Sequence, residues 1–170
     1  TSYKIYNTYV LPRLLYGLEA IPLNKTNITQ RITVIFHRKN LRHFQSLPQR
    51  TAIAAIYLLI GGLPIEAELH KKQLSFLHNL LSSNVQRVDD IIIRQMSVNY
   101  DNPNSFFSKI REILLKYGLP PIHLLQETLP SKLKWKSLVT KHLNTYWQNT
   151  LRDDAESKST LKHMNTEHLL

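Results

Sequence analysis

The residues of this 170-residue chain that could do chemistry are above all its basic ones. Arg31, Arg38, Lys39 and Arg42 fall about one and two helical turns apart along a stretch that reads as helix up to Pro48, and Arg50 follows just beyond it. Guanidinium groups so spaced reach successive phosphates of a nucleic-acid backbone, sometimes with bidentate geometry. An ordinary solvated helix face has the same spacing and is the usual fate of such charges. Arg38, Arg42 and Arg50 have no acidic neighbour in sequence, which favours the phosphate reading. His37 and His43 flank these arginines and could assist the same contact.

A second basic set, Lys132, Lys134, Lys136 and Lys141, interleaves with Trp135, Tyr146 and Trp147. Charge among aromatic rings suits a single strand, but these aromatics recur at helical spacing. A packed face with lysines on its solvated side is therefore the stronger reading, and Lys132 and Lys136 are secondary candidates. Val88-Asp89-Asp90 superficially resembles the metal-binding turn of a polymerase. That chemistry needs the pair at a hairpin tip with a third carboxylate close by. Asn84, Gln86 and Arg87 precede the pair and form no apolar strand, so a helix start with acids near its positive end is expected. The eight histidines form neither an HExxH pair nor part of a Cys/His finger, and no metal site is expected. No G-x-S-x-G elbow, P-loop or dinucleotide glycine motif is present, and no residue is assigned a catalytic role.

The chain carries 22 basic and 12 acidic residues, a net charge of +10, which favours a polyanionic partner. Residues 1–50 hold eight basic residues against Glu19 alone, while residues 51–100 balance to zero. The absence of cysteine excludes disulfides and thiolate chemistry and is compatible with an intracellular protein. Ala52–Ile65, the longest apolar run, is broken by two glycines and a proline and is too short to span a bilayer. No membrane partner is expected. The start at Thr1 suggests a piece of something longer.

The elements that must position these residues all read as helices. Ile5, Tyr9, Leu14, Leu15 and Leu18 mark a first helix over 2–21, kinked or split by Pro12 and helped to a stop by Pro22. Asn24, Thr26 or Thr29 caps the next, whose apolar stripe is Ile28, Ile32, Ile35 and Phe36. Thr51 caps a wholly apolar helix over Ala52–Ile60, stopped by Gly61-Gly62. Pro64 opens a helix with Glu66 and Glu68 in its first turn and Leu69, Phe76, Leu77, Leu80 and Leu81 as its core face. Helices follow over Gln86–Val98, Phe106–Tyr117 and Ile122–Leu129, and from Ser131 onward. The expected fold is all-α, an irregular bundle of about six to eight helices that divides into two helical subdomains: 1–98, then 105–151 beyond the loop 99–104. A polar tail over 152–170 would fray.

Tyr16–Leu23 (YGLEAIPL) and Phe36–Leu81 together resemble the segment after the palm in reverse transcriptases of LINE-like, non-LTR retrotransposons. There a Y-G-x-E stretch precedes a helix with an F-x-R-x-x-L-R pattern, then a Leu-Pro turn and a small helix ending in G-x-x-P. The resemblance covers roughly residues 5–100. It implies a thumb and connector that grip primer–template duplex or RNA–DNA hybrid through phosphates, in the nucleus. It also implies a part of a transposable-element RNA-directed DNA polymerase that is no enzyme by itself. Magnesium and the catalytic carboxylates would belong to the missing palm of the same polyprotein, and this chain would hold no cofactor. A helical protein-interaction scaffold is the alternative.

Overall fold

A computed structural model describes residues 2–21, 28–83 and 85–158, and for residues 28–32 it describes the backbone alone. The expected positions Pro22, Asn24, Thr26 and Asn84 lie outside the described residues, as does the tail from 159 onward. The architecture is all-α, with no strand among the described residues.

The chain opens with α1 (Ser2–Ile5), a π-helical turn (Tyr6–Val10) and α2 (Leu11–Leu14) in one continuous run. Pro12 has no N–H to offer, and its ring would clash with the carbonyl four residues back in a regular helix. The chain instead widens by one residue, so that the Leu11 N–H bonds the Tyr6 carbonyl. That extra residue rotates the apolar face. Tyr6, Leu11, Leu15 and Leu18 are buried, whereas Ile5 and Tyr9, expected inside, are about 60 % exposed. Gly17 takes a left-handed conformation before the 3₁₀ turn Leu18–Ala20.

Next come α3 (Ile28–Phe44), α4 (Ile53–Ile60) and α5 (Ile65–Leu81). The buried side of α3 is Thr33, His37 and Leu41, at i, i+4, i+8, while Ile35 and Phe36 face outward. The stripe expected through Ile35 and Phe36 is thus displaced by about half a turn, because α4 and α1 pack on the other side. Thr51 does not cap α4. Its hydroxyl donates to the Pro48 carbonyl at 2.7 Å, and Ala52 stands at the helix start. Gly61 ends α4 with a φ of 64°, a conformation that costs glycine little. Pro64 sits one position before the first residue of α5.

The remainder comprises α6 (Gln86–Val98), α7 (Phe106–Lys116), α8 (Ile122–Glu127) and α9 (Lys132–Glu156). Residues 99–104 are a loop as expected, yet the core passes across it. Ala67, Leu74 and Leu77 of α5 pack with Ile110 and Leu114 of α7 and with Trp135, Val139 and Leu143 of α9. Further along, Leu151 and Ala155 of α9 pack with Leu41 and with Ala54–Tyr57 of α4. Residues 152–156 are therefore not the start of a frayed tail, because burial of Ala155 holds the last turn of α9 in place.

A polar network reinforces the α5–α7–α9 junction. The indole of Trp147 can only donate, so it gives its N–H to the Tyr117 hydroxyl (3.0 Å), whose own proton goes to Nδ1 of His70 (2.7 Å). Lys116 bonds Glu66 at 2.8 Å and lies 4.7 Å from the Trp147 ring centroid. Burial, partly offset by Glu66 and aided by Lys116, pulls the His70 pKa down to about 4, in keeping with a neutral ring that accepts from tyrosine. Among the described residues no single helix is long and apolar enough to cross a membrane; α4 and α5 meet that test only together, bent by 66°.

Candidate nucleic-acid interface

Helix α3 carries the first set of cations, and its packing decides what each can do. On the buried side, Nδ1 of His37 meets the Tyr6 hydroxyl at 2.9 Å, and the His37 ring stacks on Tyr57 at 6.0 Å. Burial and the adjacent Arg38 charge, opposed by the Leu63 backbone, bring its pKa down to about 4. His37 is thus a neutral core residue near pH 7, 2 % exposed, and adds no charge toward a phosphate. The sequence placed it beside the arginines, but the helix turns it inward.

Arg38 and Arg42, one turn apart, run along the junction between α3 and α4. Both are half-buried, and the Nε of each is enclosed without a hydrogen-bond partner. Arg38 lies beside the Tyr57 hydroxyl and partly offsets the upward push of burial on that phenol. Nη2 of Arg42 donates to the Thr51 carbonyl over a long 3.4 Å. Lys39, His43 and Arg50 are exposed. Arg31 belongs to α3, but its side chain lies outside the described residues.

Among the described residues, no carboxylate forms an ion pair with Arg38, Lys39, Arg42 or Arg50. Among the described residues, Glu68, Glu112, Glu66 and Asp154 pair instead with Lys71, Lys109, Lys116 and Lys158. An unneutralised run of cations is what a phosphate backbone requires. Arg38 and Arg42, at i and i+4, share one side of α3, though their stems serve the core as much as the surface.

Asp89 and Asp90 are exposed on the first turns of α6, and Gln86 donates to Asp90 at 3.4 Å. They stand on a helix as the sequence suggested, and no group of three or more potential metal ligands gathers among the described residues. The aromatics of α9 are packed: Trp135 is 2 % exposed and donates its indole N–H to the Leu74 carbonyl at 3.0 Å. Lys134 and Lys141 point to solvent. Lys132 and Lys136, by contrast, meet Lys71 and Lys72 of α5 across a cleft. Sequence reasoning missed the two α5 lysines because residues 51–100 balance in charge. The adjacent pair Lys71-Lys72 was the available signal, but no spacing rule could join it to residues sixty positions later.

Set beside protein-family models, curated proteins and solved structures, the chain matches none of them.

Proposed function

We propose that this chain is a non-catalytic helical module that holds a nucleic-acid backbone through the cations of α3 and the turn after it. The observation that carries the reading is the set Arg38, Lys39, Arg42 and Arg50, none of which has a carboxylate partner among the described residues. Phosphate contacts of this kind position a duplex or RNA–DNA hybrid without reading its sequence. In this reading the chain acts as the thumb and connector of a non-LTR retrotransposon reverse transcriptase. The palm would supply magnesium and the chemistry of polymerisation. Arg38 and Arg42 would contribute from half-buried stems, while Lys39 and Arg50 would be the freely accessible contacts.

The test is binding of the full chain to a labelled RNA–DNA hybrid across a salt series. Affinity is expected to fall linearly on a log–log plot, and Lys39→Ala/Arg50→Ala to reduce the slope by about 2. These two are chosen over Arg38 and Arg42 because their exposure separates binding from folding. Absence of hybrid binding at low salt would overturn the proposal. The alternative, a protein-interaction scaffold, draws on Ile35 (63 % exposed) and Phe36 (43 %) on the outer side of the same helix. An apolar strip there suits a partner domain better than a phosphate.

A further inference from the structure

The cleft between α5 and α9 shares no residue with the α3 face and has a different chemistry. It has a volume of about 270 Å³, at the small end for ligand pockets, enough for one compact group and too little for a duplex. Four lysines ring it: Lys71 and Lys72 from α5, Lys132 and Lys136 from α9. Glu68 is the one acid in its wall, and it lies 3.8 Å from Lys71. Lys72, Lys132 and Lys136 have no carboxylate partner among the described residues. The floor is apolar, formed by Trp135 and Val139.

His78 adds a polar position to the same wall. Its Nε2 lies 2.8 Å from the Pro130 carbonyl, which can only accept, so Nε2 carries the proton. Its Nδ1 is enclosed and without a hydrogen-bond partner among the described residues, on a residue only 6 % exposed. The cleft therefore combines compact positive charges at its rim with an apolar floor. Lysine ammonium groups are point charges suited to tetrahedral phosphate oxygens, and the start of α9 at Lys132 adds the positive end of its helix dipole.

We propose that the α5–α9 cleft binds a single phosphorylated nucleoside unit, with its phosphate among Lys72, Lys132 and Lys136 and its ring over Trp135 and Val139. Such a unit comes either as a free mononucleotide or as the phosphorylated end of a strand. Both carry the same chemistry, and the proposal stands whether or not the α3 face binds a backbone.

Titration calorimetry on the full chain tests this with adenosine 5′-monophosphate, adenosine and inorganic phosphate. The nucleotide should bind at least about tenfold more tightly than either half alone, since each half uses only part of the cleft. Lys72→Ala/Lys136→Ala should weaken it by about tenfold or more, and Lys39→Ala/Arg50→Ala should leave it unchanged. Ser75 is exposed at the rim, so Ser75→Trp can fill the cleft without disturbing the core; it should abolish nucleotide binding while keeping the lysines. A 5′-phosphorylated oligonucleotide that outcompetes its unphosphorylated twin would identify a strand end as the source. Competition by the free nucleotide alone would identify the mononucleotide. No saturable nucleotide binding, or binding equal to that of inorganic phosphate and indifferent to Ser75→Trp, would overturn the proposal.

Discussion

Arg38 and Arg42 leave α3 with their stems packed against α4 and an Nε enclosed in each, whereas Lys132 and Lys136 stand exposed on the first turns of α9. Both regions are positive and poor in partner acids. The arginines, however, are part of the wall between two helices, so their charge is held in place by the same contacts that hold the fold. The lysines ring a cleft whose floor is made by other residues. A long basic side chain can serve as packing material and as a charge at once, and only the first role makes its removal costly to the fold. The α3 charges are therefore tied to the packing of the fold, while those of the α5–α9 cleft stand at its edge.

Acid should expose the difference most strongly. The pKa of His37, behind the α3 arginines, is lowered to about 4, while an unfolded histidine titrates near 6.5. Between those values the unfolded chain binds a proton that the folded chain does not, so stability falls as pH drops from about 6.5 to 4 and is level above that window. The loss is up to roughly 3 kcal/mol for His37, and His70 contributes a similar loss from the α5–α7–α9 junction. Urea unfolding at pH 7 and pH 4.5 measures it. His37→Gln should remove one share of the pH slope, while Lys72→Ala/Lys136→Ala should leave the slope intact. An unchanged slope in His37→Gln would mean that His37 does not resist protonation.

Next in size is the cost of removing the cations themselves. Arg42→Ala should destabilise by about 1–2 kcal/mol, through the lost stem packing and the bond to the Thr51 carbonyl. A cost near zero would show that the α3 arginines are as free as the lysines. Smallest of all, Lys136→Ala should stay within about 0.5 kcal/mol in the same denaturant titration, as exposed substitutions do.

Helix punctuation was legible in the residues. Gly61 and Gly118 take left-handed conformations after α4 and α7, and the loop at 99–104 falls where Asn and Pro cluster. The helical spacing of Trp135, Tyr146 and Trp147 pointed to a packed face of α9, where Trp135 is buried and Tyr146 and Trp147 are partly so. Faces near the N-terminus were less legible. Leu15 and Leu18 are buried as expected, but a π turn before Pro12 replaced Ile5 and Tyr9 by Tyr6 and Leu11, and periodicity reasoning assumes a constant turn. The candidate site divided in the same way. Lys39 and Arg50 lie exposed on or just beyond a basic helix, but His37 is turned into the core, and Lys71, Lys72 and His78 were not singled out at all.

The sequence by itself determined an all-α chain, the order of most of its helices and a positive excess concentrated in its first fifty residues. These follow from local causes: backbone punctuation, side-chain periodicity and charge counting need no knowledge of distant neighbours. The tertiary structure alone decided that α9 packs on both α5 and α4, so that one core spans the loop at 99–104. It also decided which arginines are packing as well as charge, and it brought Lys71 and Lys72 opposite Lys132 and Lys136. Contacts across sixty residues depend on how whole helix faces meet, and no local spacing encodes that.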